Sequence, residues 1–110
     1  MSRKGKVFFG DLFTGIISET EEGYTFIYED EYLSIKENQP ISLTFPKAKK
    51  EYFSKSMFPF FDGLIPEGWL LNIAIENWKL DSRDRMGLLL STCKDCIGAV
   101  SVVKIEDDNE

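Results

Sequence analysis

Histidine is absent from all 110 residues, which removes His-based triads, His proton shuttles and His metal ligands in one step. No G-x-x-x-x-G-K-[ST] or G-x-G-x-x-G phosphate loop is present, nor any H-R-D or D-F-G kinase signature, so an ordinary kinase or NTPase activity is not expected of this chain alone. The remaining groups with chemical potential are few. Cys93-Lys94-Asp95-Cys96 has the C-x-x-C spacing of a redox pair or half a zinc site. A zinc site needs four ligands, and the chain offers no others. Redox pairs gain a low thiol pKa at a helix N-terminus, whereas this pair ends an expected helix, where the dipole acts in the opposite sense. Two ordinary, partly buried thiols are the plainer reading, and no metal or other cofactor is expected. Asp62 and Glu67 flank Leu64-Ile65 and have the residue types of an acid–base pair. Turn capping by Asp62 and helix N-terminal charge from Glu67 account for them more simply.

The most constrained stretch is Phe58 to Leu71, F-P-F-F-D-G-L-I-P-E-G-W-L-L, with four aromatics, two prolines and two glycines in fourteen residues. It reads as an irregular apolar loop that delivers the chain into a helix over about Trp69 to Lys79. At 100° per residue, Leu70, Leu71, Ala74, Ile75 and Trp78 share one apolar arc, while Trp69 falls at its margin beside Asn72 and Glu76. Trp69 is therefore the aromatic expected to be exposed. Partial burial at the core edge and service as a partner-binding anchor are both open to it. Phe60, Phe61 and Ile65 lie close by in sequence and join it, with Glu67, as candidate partner-binding residues.

The rest of the chain supplies the frame for that stretch. Val7-Phe8-Phe9 and Leu12-Phe13-Thr14 flank Gly10-Asp11, which suits the type I′ or II′ turn of a hairpin. Glu21-Glu22-Gly23 turns the chain again into a third strand, in which Tyr24, Phe26 and Tyr28 occupy one core-facing side at period two. Pro40-Ile41-Ser42-Leu43-Thr44-Phe45-Pro46 reads as a short edge strand bracketed by prolines. Asp81-Ser82 can cap a second helix, with Met86, Leu89, Leu90 and Cys93 along one face. Ile97 to Ile105 is β-branched enough for a closing strand. The expected class is α+β: a small antiparallel sheet built from an N-terminal meander, an edge strand and a closing C-terminal strand, with two main helices inserted before the last strand. One domain over residues 1–105 and an acidic tail over 106–110 are expected.

Nineteen acidic against thirteen basic residues give a net charge of −6, which disfavours direct nucleic-acid binding. Lys47, Lys49, Lys50 and Lys55 form a local basic cluster that reads as a solvated face. A hydrophobic fraction of 43% without a run approaching a membrane span, and an N-terminus without a secretory pattern, lead to the expectation of a cytoplasmic protein that does not engage membranes.

Two blocks resemble the N-terminal subdomain of HipA-type serine/threonine kinase toxins. Phe60-Phe61-Asp62-Gly63-Leu64-Ile65-Pro66-Glu67-Gly68 is similar to the family's F-F-D-N-L-L-P-E-G, and Asp95-Cys96-Ile97-Gly98-Ala99-Val100 to its D-x-x-G-A-V. Leu88-Leu89-Leu90, Phe26-x-Tyr28, Tyr32-Leu33 and the Pro40 to Pro46 segment extend the likeness over nearly the whole chain. Gly63 stands where the family usually has Asn, and Cys93 where it often has Gly. Complete family kinases continue into a catalytic core with the ATP site, which this chain does not include. The resemblance implies a HipS-like antitoxin of a split, three-component toxin–antitoxin system. Such a subunit binds and neutralises a HipA-like kinase on a separate chain, alongside a helix-turn-helix DNA-binding partner. Three alternatives stay open at this stage: a subunit that completes and supports a bipartite kinase, a thiol oxidoreductase using Cys93 and Cys96, and a fragment of a longer kinase.

Overall fold

The computed structural model describes residues 3–65, 83–92 and 99–105. Their framework is a five-stranded antiparallel sheet in the order β4-β3-β2-β1-β5. Strand β1 (Lys4–Phe9) and strand β2 (Leu12–Glu19) form the expected hairpin, with Phe9 opposite Leu12 across Gly10-Asp11. Gly10 has φ 61°, the left-handed value that the first residue of a primed turn requires and that only glycine adopts at no cost. The register slips between Val7 and Phe8, and the extra residue is Thr14. It is fully buried, and its hydroxyl donates to the Val7 carbonyl at 2.9 Å. The bulge thus leaves no buried polar group unpaired.

Strand β3 (Tyr24–Tyr28) completes the meander. Phe26 and Tyr28 are buried, and Ile27 between them is exposed on the opposite face, so the period-two reading holds. The edge strand is the point of correction. It is not Pro40–Pro46, which forms bends and turns, but β4 (Glu51–Ser54), inside the polar stretch that follows. Ile41 and Phe45 turn inward to 5% and 2% exposure while Leu43 stands out at 95%. The Tyr28 hydroxyl stands in for strand pairing here: it accepts from the Ile41 N–H and donates to the Phe45 carbonyl. A second departure is the short helix α1 (Asp30–Ser34), which follows β3. Its acidic first turn sits at the positive end of the helix dipole.

Helix α2 (Pro59–Asp62) and helix α3 (Arg85–Thr92) lie against the inner face of the sheet. Within α3, Met86, Leu88, Leu89 and Leu90 are all buried. The buried side is therefore wider than the i, i+3, i+4 stripe, because α3 is enclosed on more than one flank. At its start the Asp84 carboxylate accepts from the Gly87 N–H at 3.1 Å, a capping bond; Asp81-Ser82, expected as the cap, lie outside the described residues. Strand β5 (Val100–Lys104) closes the sheet beside β1 and buries Val100 and Val102. The expected helix over Trp69 to Lys79, with Trp78, and the Cys93 to Gly98 stretch lie outside the described residues.

Candidate interaction site

The first half of the Phe58 to Leu71 stretch is ordered by its own residue types. Phe58 is extended (φ −57°, ψ 133°), as a residue before proline prefers. Pro59 occupies the first position of α2, where its fixed φ fits and its missing N–H is not needed. The Asp62 N–H donates to the Phe58 carbonyl and that of Gly63 to Pro59, each at 2.9 Å; Leu64 and Ile65 continue the winding onto Phe61 and Asp62. The expected irregular loop is thus, up to Ile65, a tight helical turn and its continuation. Gly63 has φ −68° and ψ −15°, an ordinary right-handed conformation. An added Cβ there would meet only the Pro59 and Phe60 carbonyls at 3.4 and 3.5 Å, so the Asn that the family usually carries is sterically acceptable.

Phe61 is the fixing point. It is fully buried, with ring centroids of Phe60, Phe26, Phe45 and Phe58 at 5.2, 5.5, 5.6 and 6.0 Å. Tilted and edge-on pairs of this kind each add about 0.5–1.5 kcal/mol beyond burial. Ile65 is 2% exposed in the same core, and Phe60 packs half-buried at its margin. A second tie is electrostatic: Arg85 Nε donates to Asp62 Oδ1 at 2.6 Å, joining α2 to the start of α3. Among the described residues, the Asp62 carboxylate's partner is this ion pair and no turn N–H. Of the five candidate partner-binding residues, the fold gathers Phe60, Phe61 and Ile65 into one turn. Phe61 and Ile65 are covered by the chain itself, while Trp69 and Glu67 lie outside the described residues.

A second charged junction ties the start of β1 and the end of β2 to the start of α3. Arg3 makes paired hydrogen bonds of 2.8 Å to both oxygens of Glu19 and both oxygens of Asp84. The guanidinium holds the Asp84 carboxyl below its usual range, helped by the Gly87 N–H, and Arg3 stays protonated throughout. Burial pushes the Tyr28 phenol up to about 12. Two of the four lysines read as a solvated face are engaged: Lys47 donates to the Ile35 and Asn38 carbonyls, and Lys50 to Asp30 at 2.6 Å. Among the described residues, no cluster of three or more His, Cys, Asp or Glu is placed to hold a metal. No helix among them is long and apolar enough to cross a membrane.

The architecture has relatives. A solved structure described as the N-terminal domain of HipA toxin superposes with a TM-score of 0.75 at 31% identity, covering 96% of this chain and 95% of that one. An uncharacterized protein of Haemophilus influenzae (strain ATCC 51907 / DSM 11121 / KW20 / Rd) is 35% identical over 100 residues, 91% of each chain. The family model of the HipA N-terminal domain matches residues 5–103. That span runs from the first strand to the last and includes both sequence blocks that carry the resemblance. The chain belongs to the HipA N-terminal domain family.

Proposed function

We propose that this chain is a non-catalytic antitoxin subunit that binds a HipA-like kinase carried on a separate chain and suppresses its toxicity. The observation that carries the reading is the family match over residues 5–103. Family kinases hold the ATP site in a catalytic core, and this chain has neither a nucleotide loop nor a histidine. The contact is assigned to Trp69, four residues beyond Ile65. Phe61 and Ile65 are buried just before it in sequence, half-buried Phe60 lies at their margin, and Glu67 joins Trp69 as a proposed contact residue. The close packing of Phe58 to Ile65 just before Trp69 in sequence supports this reading, because binding groups on an ordered base lose less entropy on docking. A helix-turn-helix DNA-binding protein is the further partner of such an assembly, and the cytoplasm its compartment.

Co-expression with the kinase tests the proposal. The wild-type chain should restore growth, and Trp69→Ala, expressed at equal level and with an unchanged thermal midpoint, should not. Undiminished rescue by Trp69→Ala would remove the anchor. Kinase toxicity that appears only when this chain is present would replace the antitoxin with a subunit that completes the kinase. Replacement of Cys93 and Cys96 by Ser should leave rescue unchanged.

A further inference from the structure

Among the described residues, β4 is an edge of the sheet with no strand on its outer side. Tyr28 donates its N–H to the Lys50 carbonyl, and Phe26 stands opposite Tyr52. Antiparallel alternation then turns the backbone N–H and C=O of Glu51 and Phe53 away from β3. Those groups have no hydrogen-bond partner among the described residues. Beside them, on the inner side of the edge, lies a recess of about 300 Å³ walled by Phe45, Tyr52, Phe58 and Pro59. Its rim carries a large apolar side chain in solvent, Phe53 at 54% exposure. Lys49 also borders it, with its ammonium 5.2 Å from the Tyr52 ring centroid. Neither Lys49 nor Lys55, at the other end of β4, has a carboxylate partner among the described residues.

We infer that the β4 edge binds an extended partner segment as a sixth strand, with an apolar side chain in the recess and acidic residues three positions to either side. The spacing follows from the register. A residue opposite Tyr52 points inward over the recess, and residues opposite Lys49 and Lys55 lie three positions away in each direction. Opposite charges directly across a strand pair stabilise it, and like charges destabilise it. The same arithmetic disfavours a second copy of this chain: pairing two β4 strands about Tyr52 sets each Lys49 against the other copy's Lys55. This surface is formed by β4 and the 41–59 segment, so the inference stands independently of Trp69 and of the kinase reading.

The probe is the peptide acetyl-Glu-Val-Thr-Phe-Thr-Val-Glu-amide, titrated into the full chain and followed by amide NMR. Saturable shifts should centre on the Glu51 and Phe53 amides. Exchanging both peptide Glu for Lys should weaken binding at least about tenfold, and exchanging its Phe for Ala should do the same. Phe53→Pro removes an outward-facing N–H, which an edge strand tolerates, together with a ring that is 54% exposed; it should abolish binding while leaving the thermal midpoint near that of wild type. Absence of binding at millimolar peptide, or equal binding of the Glu and Lys peptides by the wild-type chain, would overturn the inference. So would a dimer seen by sedimentation that Phe53→Pro dissolves, since a second copy would then be the occupant.

Discussion

The two halves of the core are built by different means. Under β1 and β5 the interior is aliphatic: Val7, Val100, Val102, Met86, Leu88, Leu89 and Leu90 meet through a regular strand pair and a regular helix. Under β3 and β4 it is aromatic. Phe26, Tyr28, Tyr32, Phe45, Phe58 and Phe61 stack and tilt at 4.9 to 6.0 Å, supplied by one strand, two helices of five residues or fewer, and irregular chain at Phe45 and Phe58. Aliphatic side chains fill space between elements that already satisfy their own backbone groups. Aromatic ones can hold irregular chain in place, because large rings bury much area each and tyrosine hydroxyls can pair with the backbone that the irregular chain leaves free. The candidate interaction surface and the open β4 edge both hang from the aromatic half.

The largest test of this contrast is Phe61→Ala. Loss of a fully buried ring should cost about 3–5 kcal/mol, read from denaturant unfolding. Because Phe45 and Phe61 touch, a double-mutant cycle between them should show coupling of at least about 0.5 kcal/mol. Additive costs would mean that the rings merely fill volume, as the leucines of α3 do.

Tyr28→Phe comes next. It keeps the ring and strands the Ile41 N–H and the Phe45 carbonyl, at about 1–3 kcal/mol for a buried unpaired group. The hydroxyl also carries a pH signature. Its folded pKa is raised, so its contribution is complete below about pH 10, the unfolded value, and is lost as pH rises through about 12. Tyr28→Phe should therefore flatten the alkaline limb of a plot of thermal midpoint against pH.

The aliphatic half responds to acid instead. Asp84 caps α3 and pairs with Arg3, and both partners are more than a third exposed at the side chain. Screening keeps the ion pair near ~0.5 kcal/mol, and the cap adds about 1 kcal/mol. Since the folded carboxyl lies below its ordinary value, this stability is present above about pH 4 and falls away at lower pH as the group protonates. Asp84→Ala should lower the thermal midpoint at neutral pH and narrow to no difference in strong acid. The smallest effect has the opposite sign: Gly63→Ala, at a right-handed position with room for a Cβ, should stabilise by about 0.4–1 kcal/mol.

The same division explains what could be read from residue order. Local rules suffice where backbone pairs with backbone. The Gly10-Asp11 turn, the Tyr24-Phe26-Tyr28 face and the closing strand all follow from spacing and residue type. Ile41, Leu43 and Phe45 also alternate, yet they do not form a strand, because the Tyr28 hydroxyl, thirteen and seventeen residues away, takes over their backbone groups. No local window contains that bond. β4 carries almost no periodicity, being four residues with two aromatics among polar neighbours. At the candidate site, the aromatic and proline content marked residues 58–65 as constrained, but only packing showed that Phe61 and Ile65 face inward. The Asp62 and Arg85 pairing joins positions 23 apart, which composition could not connect.

The central claim, that the aromatic half is a rigid base and Trp69 its partner-binding group, is tested most directly by titrating the purified chain into a HipA-like kinase in a calorimeter, for wild type and Trp69→Ala. The account predicts that Trp69→Ala weakens binding by at least about 2 kcal/mol, the level of an interface hot spot, while its thermal midpoint stays within a degree or two of wild type. Equal affinity for the two proteins would contradict it.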